Sequence, residues 1–234
     1  MYNGPDKQKE TLRNALRQRQ LAAHEQWRKL AAGLGPSAAE TFREYERAAQ
    51  ELGVVSNSAA FRVKQLREDD LLPDAGRRRL ISDALSEGAK KRDAARARMR
   101  TAREVLAAKA RAAAMPKLDP KREAAAREEL RLLTGGTNDP ADVLLELAKG
   151  DDELAAVSVS SYSQSLLRAK GVRKAPELHK AVQDVAVHTA RRSADPKRRA
   201  AASAYSALGE LDRAMACSES LAEGTLEDLG VELG

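Results

Sequence analysis

The stretch from Asp74 to Met115 contains no proline, is rich in alanine and carries a dense run of arginine and lysine. These are strong helix formers, and with no ring nitrogen to interrupt the hydrogen-bond ladder an unbroken helix is the expected conformation. At ~1.5 Å per residue it would be roughly 60 Å long, more than the diameter of a compact domain of this size. Such a helix is a spacer or a docking rail, its surface lying against other chains, against nucleic acid or in water.

The prolines reinforce this reading. All eight, at positions 5, 36, 73, 116, 120, 140, 176 and 196, stand where a helix would start or stop, because proline inside a helix costs ~3 kcal/mol. Asp119-Pro120, Asp139-Pro140 and Asp195-Pro196 share the pattern of an N-cap followed by proline at the first helical position. Ser37 and Glu40 have capping-box spacing, and Gly33, Gly53, Gly150 and Gly171 stand at expected helix ends. The spacing of apolar residues then predicts helices over 6–32, 38–52, 58–68, 74–115, 120–133, 140–149, 152–170, 177–193 and 196–223. Inward positions include Trp27, Phe42, Tyr45, Leu144, Val157, Val182 and Leu211. In the long helix Leu85, Gly88, Arg92, Ala95, Met99, Ala102 and Leu106 recur at steps of three and four, a heptad-like seam with Gly88 as a bend. Residues 158–165 also admit a strand, but their helical flanks favour helix.

The expected fold is all-α: an extended multi-helix protein with one long basic helix and a C-terminal bundle of short helices. Its expected divisions are an N-terminal helical region at 1–72, the basic helix at 73–118, the bundle at 119–224 and an acidic tail at 225–234. Aromatic residues make up only 3% of the chain, so the cores should be thin seams that neighbouring subunits complete. The first residues lack a signal peptide's apolar core, no apolar run is long enough to span a bilayer, and Cys217 is the sole cysteine. Together these place the protein in the cytoplasm, or in a virion if it is phage-encoded.

The net charge of +6 conceals alternating blocks, with +10 over residues 77–122, −6 over 123–167, +7 over 168–199 and −6 over 210–234. Blocks of opposite sign serve self-assembly, basic against acidic, as readily as they serve phosphate binding.

One segment, from Ala48-Ala49-Gln50-Glu51-Leu52-Gly53-Val54-Val55-Ser56-Asn57 to Ser58-Ala59-Ala60-Phe61-Arg62-Val63-Lys64-Gln65-Leu66-Arg67, resembles the helix-turn-helix of sigma factors and response regulators. The resemblance implies that Ala49, Gly53 and Val54 shape the turn while Asn57, Ser58, Arg62 and Lys64 face DNA. It covers about 20 of 234 residues. Ala59 and Ala60 replace the larger aliphatic residues usual there, and residues 34–76 are net acidic. Further candidate contacts to DNA or to a partner are Arg77, Arg78, Arg79, Lys90, Lys91 and Arg92 on the basic helix, with no aromatic interleaved to stack bases.

Catalytic chemistry finds no constellation. His24, His179 and His188 are scattered without metal-ligand spacing, the serines at 158–165 lack a nucleophile elbow, and Thr134-Gly135-Gly136-Thr137-Asn138 has no phosphate-loop lysine. No catalytic, cofactor or metal residue is expected. The composition as a whole, short Asp-Pro-capped helices beside an extended Ala/Arg helix, is similar to helical virion assembly proteins of actinobacterial phages. That likeness implies a non-enzymatic structural protein of the head–tail connector or scaffold type, a homo-oligomer or part of a larger protein assembly, with weak non-specific nucleic-acid contact and no membrane. The alternative is a helix-turn-helix DNA-binding protein with a helical dimerisation region.

Overall fold

The computed structural model describes residues 5–137 and 139–228, so residues 229–234 of the expected acidic tail, and Asn138, lie outside the described residues. All regular structure among the described residues is helical: α1 (Pro5–Leu34), α2 (Pro36–Glu68), α3 (Asp74–Ala114), α4 (Glu123–Gly135), α5 (Pro140–Leu147), α6 (Glu153–Ser158), α7 (Ser161–Ala169), α8 (Ala175–Thr189), a 3₁₀ turn (Ala190–Arg192), α9 (Pro196–Ser206) and α10 (Leu208–Glu227). The protein is all-α. Two compact units form, one from residues 1–106 and 207–234, the other from residues 107–206. This division departs from the boundaries read from sequence. Residues 208–227 pack with the N-terminal helices rather than with the short helices that precede them, and the start of the acidic tail simply continues α10.

In unit 1, α10 runs antiparallel to α1. Arg13 Nη2 donates to Gly224 O at 2.6 Å, Gln20 Nε2 to Ser218 Oγ at 2.8 Å and Trp27 Nε1 to Ala207 O at 2.9 Å. The core holds one aromatic cluster. Trp27 stacks on Phe42 at 6.3 Å between centroids and Phe42 on Tyr45 at 6.0 Å, while His24 meets Phe42 and Tyr45 edge-on. Tyr45 is fully buried and its hydroxyl donates to Leu211 O at 2.9 Å; burial pushes its pKa up.

Helix α2 corrects the sequence reading most clearly. A turn was expected near Gly53, yet one helix runs unbroken from Pro36 to Glu68. Its buried stripe explains why: Ala48, Ala49, Leu52, Ser56, Ala59, Ala60, Val63 and Leu66 keep helical spacing straight through the expected turn. A mid-helix glycine costs about 1 kcal/mol, far less than the loss of half that stripe. Ser56 Oγ donates to Leu52 O at 2.9 Å across the same stretch. The geometry of a helix-turn-helix is therefore absent from residues 48–67. The helix also starts one residue before the expected capping box, with Gly35 (φ 112°) as N-cap and Pro36 at the first position.

Other boundaries follow their local chemistry. Asp139 accepts from the amides of Ala141 and Asp142, and Asp195 from that of Lys197 at 2.8 Å, so both Asp-Pro caps form. Asp119-Pro120 instead makes a turn, Asp119 accepting from Lys121 N at 2.9 Å, and α4 starts only at Glu123. The expected helix 152–170 breaks at Val159 and Ser160, and the expected helix 196–223 breaks at Ala207.

The α3 seam forms as spaced. Gly88, Arg92, Ala95, Met99, Ala102 and Leu106 are all buried. Gly88 lies inside the helix as a point of close approach, since a Cβ there would sit 3.0 Å from Ala59 Cβ of α2. The alanines at 59 and 60 that depart from the helix-turn-helix pattern thus have a packing role: they admit α3 on one side and Leu226 of α10 on the other.

Unit 2 packs Leu130, Leu144, Val157, Leu167 and Val182 into one core. A charged strut braces it. Arg198, 4% exposed, donates from Nε to Ala114 O at 3.0 Å and from Nη1 to Asp151. Asp151 also accepts from Ser193 Oγ at 2.7 Å and Ala194 N at 2.8 Å. Burial pushes the pKa of Asp151 up, but these donors together hold it below the usual carboxylate value.

Because Gly88 has no room for a branched side chain, Gly88→Val is expected to destabilise the protein by about 1–3 kcal/mol, read by chemical unfolding. A variant as stable as the parent would show that the contact yields freely.

Candidate interaction surface

The arginines of α3 are the densest charge in the sequence, and several of them pair with acidic residues of α2 and α10. Arg103 makes a bidentate pair with Asp212, 2.9 Å from Nε and 2.8 Å from Nη2. Arg96 lies 2.8 Å from Glu223 and 3.4 Å from Glu219, Arg100 lies 4.0 Å from Glu219, and Arg98 reaches Glu51 at 2.6 Å. Asp212 and Glu219 are one heptad apart, as are Arg96 and Arg103, so the pairs flank the apolar seam of an antiparallel α3–α10 contact. Basic block meets acidic block here within a single chain.

What remains open on this part of the molecule is a groove between α2 and α3, enclosing about 220 Å³. Val54, Val55, Ser58, Ala59 and Arg62 line it from α2; Ala84, Glu87, Gly88 and Lys91 line it from α3. The floor is small and apolar because Gly88 and Ala59 bring the backbones together. On the outer face of α2 beside it stand Val54, 62% exposed, and Phe61, 63% exposed. Seven residues apart on a helix, they share one face.

The candidate residues read from sequence divide between roles. Ser58, Arg62 and Lys91 come together at the groove. Lys91 is already paired with Glu87 at 2.6 Å, whereas Arg62 has no ion pair among the described residues. Asn57, Lys64, Arg78, Arg79 and Lys90 are exposed outside it, with Lys64 3.9 Å from Glu68. Arg77 is structural: its Nη2 donates to Asp69 O at 2.7 Å and Leu72 O at 3.2 Å, closing the α2–α3 loop. Arg92 is buried in the seam, 9% exposed, and its Nε and Nη1 meet no acceptor. Burial and then the neighbouring Arg96 pull its pKa below the ordinary arginine value. A buried guanidinium cannot contact DNA or a partner. Val54 and Phe61 escaped the sequence reading because Val54 was assigned to an interhelical turn and Phe61 to a separate helix beyond it.

Sequence reading also missed a Ser–His contact in unit 2. Ser163 Oγ lies 3.1 Å from His179 Nδ1, and His179 Nε2 lies 3.0 Å from Gln183 Nε2. The hydrogen accounting assigns its direction. Gln183 Nε2 donates to Val159 O and to His179 Nε2, so the ring proton sits on Nδ1 and is donated to Ser163, whose own hydroxyl donates to Ser160 O at 2.8 Å. A nucleophilic serine needs the reverse, its proton passing to the imidazole. Ser163 is also fully buried. The network ties α7 to α8. No group of three His, Cys, Asp or Glu side chains that could hold a metal ion occurs among the described residues, and no described helix is long and apolar enough to cross a membrane.

Compared with known proteins, the chain matches no family model, no curated protein and no solved structure.

Two outcomes follow. Arg92→Met keeps an unbranched, apolar stem but removes the unpaired donors, and is expected to raise stability by about 1–3 kcal/mol in chemical unfolding; a loss would show that the guanidinium is satisfied. Burial lowers the pKa of both His24 and His179 in the folded state. The unfolded chain therefore binds more protons near the ordinary histidine value of about 6.5, and the contribution is intact above that pH and lost below it. The melting temperature should fall between about pH 7.5 and about pH 5.5, and His24→Leu should shrink the drop. A flat profile in the parent would refute the assignment.

Proposed function

We propose that this chain is a non-enzymatic assembly protein, a helical component of a larger complex, which docks a partner helix along the α2–α3 groove. The first partner we propose is a second copy of the chain. The observation that carries the reading is the exposure of Val54 and Phe61 on one face beside an alanine- and glycine-floored groove. A helix laid there would cover both side chains and set a carboxylate against Arg62. The compositional likeness to virion proteins of actinobacterial phages makes a head–tail connector or scaffold the type of assembly we propose.

Magnitudes constrain how such docking works. Fully burying an exposed Phe or Val contributes about 1.5–3 kcal/mol, whereas association costs at least about 4 kcal/mol in lost freedom. The two anchors alone give weak pairwise contact. Repetition around an assembly converts weak contacts into stable ones through high effective concentration. The DNA-reading alternative has no turn in α2 to present a recognition helix.

Light scattering across a concentration series tests this. The parent's mass is expected to rise with concentration, and Val54→Ser with Phe61→Ser should return it to monomer with an unchanged circular dichroism spectrum. A strictly monomeric parent that joins no larger assembly would defeat the proposal, as would a double variant that associates like the parent.

A further inference from the structure

The net charge is divided very unevenly between the two units. Residues 107–206 carry 18 basic and 13 acidic side chains, so unit 2 holds +5 of the chain's +6. Part of that excess converges on a cleft of about 500 Å³ whose walls include Arg111, Lys180, His188, Arg191, Tyr205 and Asp184. Three cations thus face one carboxylate.

Two of the cations are held in place. Arg111 Nη2 lies 2.7 Å from Asp184 Oδ1, and Arg191 Nε donates to Ser206 Oγ at 3.0 Å. Asp184 is four residues from His188 but is taken by Arg111, so no acid remains for the others. Lys180 and His188 have no ion pair or hydrogen bond among the described residues. Lys180, Asp184, His188 and Arg191 follow one another at three- and four-residue steps, so the charge forms a strip along one side of α8 rather than a point. Cations held close together in a concavity attract a counter-ion atmosphere, and a polyanion that replaces it gains the entropy of released ions. Guanidinium groups suit phosphate oxygens, and the half-buried Tyr205 ring gives a base a surface to stack on. The arginines of α3 that contact α10 lack this freedom, since their charge is spent inside unit 1.

We propose that this cleft binds the phosphate backbone of single-stranded nucleic acid without regard to sequence. This is a second function beside the docking proposed above. It is carried by different residues in a different unit, so either can fail alone.

Fluorescence anisotropy with a fluorescein-labelled single-stranded DNA oligonucleotide of mixed sequence, at about 50 and about 200 mM salt, tests it. Lys180 and Arg191 are both exposed, so Lys180→Ala with Arg191→Ala should leave the circular dichroism spectrum and melting temperature unchanged. That double variant should bind more weakly and reduce the slope of log affinity against log salt by about 1.4, two single-strand phosphate contacts. Tyr205→Leu should weaken binding while leaving the salt slope as in the parent. Arg78→Ala with Arg79→Ala in unit 1 should change neither. The proposal is overturned if the parent fails to bind at the lower salt, if the unit 2 double variant binds like the parent, or if the unit 1 control loses as much. Displacement of the oligonucleotide by poly-glutamate at lower charge equivalents would assign the cleft to acidic peptide instead.

Discussion

The pairing of the basic face of α3 with the acidic face of α10 ties α3 to the α1–α2–α10 packing of unit 1. In sequence, 109 positions separate Arg103 from Asp212 and 127 separate Arg96 from Glu223, yet these pairs close at hydrogen-bond distance. Their energy is modest. Each is partly exposed, and such pairs contribute about 0.2–1 kcal/mol after solvent screening. Their larger effect is on register. A one-residue slip would swing every arginine off its partner and move Met99 and Leu106 out of the seam, so charge and apolar pattern select the same alignment. The C-terminal helix also packs on α1 and α2, from which Trp27 and Tyr45 respectively donate to the carbonyls of Ala207 and Leu211.

Small residues make that arrangement compact. Ala48, Ala49, Ser56, Ala59 and Ala60 are buried on α2, as Ala214, Ser218 and Ala222 are on α10, and Gly88 extends the principle to α3. Close backbones leave little volume for large side chains, which suits a chain with 3% aromatics. The single misfit is Arg92, a long polar side chain at a seam position that alanine or methionine would fill. Its stem packs along the helix as arginine stems do, but two of its donors end without acceptors.

Much of this was legible beforehand. Proline positions, the Asp139 and Asp195 caps and the α3 seam all follow from backbone chemistry within a few residues, and local chemistry is what a sequence displays. What failed were inferences that depend on distant partners. Gly53 looked like a turn because glycine often ends helices, but its neighbours' burial against α3 and α10 decides the matter, and that burial involves residues far along the chain. The basic helix read as a rail for the same reason. Its charge is visible in sequence while the α10 acids that pair with it lie more than a hundred positions away. Val54 and Phe61 became a candidate surface only once α2 was continuous.

This also changes where unspent charge should be sought. Counting along the chain put the greatest excess, +10, on residues 77–122, and a ligand search guided by density alone would begin there. Five basic residues of that block, Lys109, Arg111, Lys117, Lys121 and Arg122, belong to unit 2, and the acids of unit 1, α10 among them, offset the rest, so unit 1 is near neutral and unit 2 carries the imbalance. There the cations of α8 and the turn after it lie beside Arg111 with one carboxylate among them. Electrostatic attraction for a polyanion depends on charge left uncompensated in the folded state. By that criterion the weaker basic block of the sequence, residues 168–199, leaves more uncompensated charge in the folded state than the α3 arginines that pair with α10.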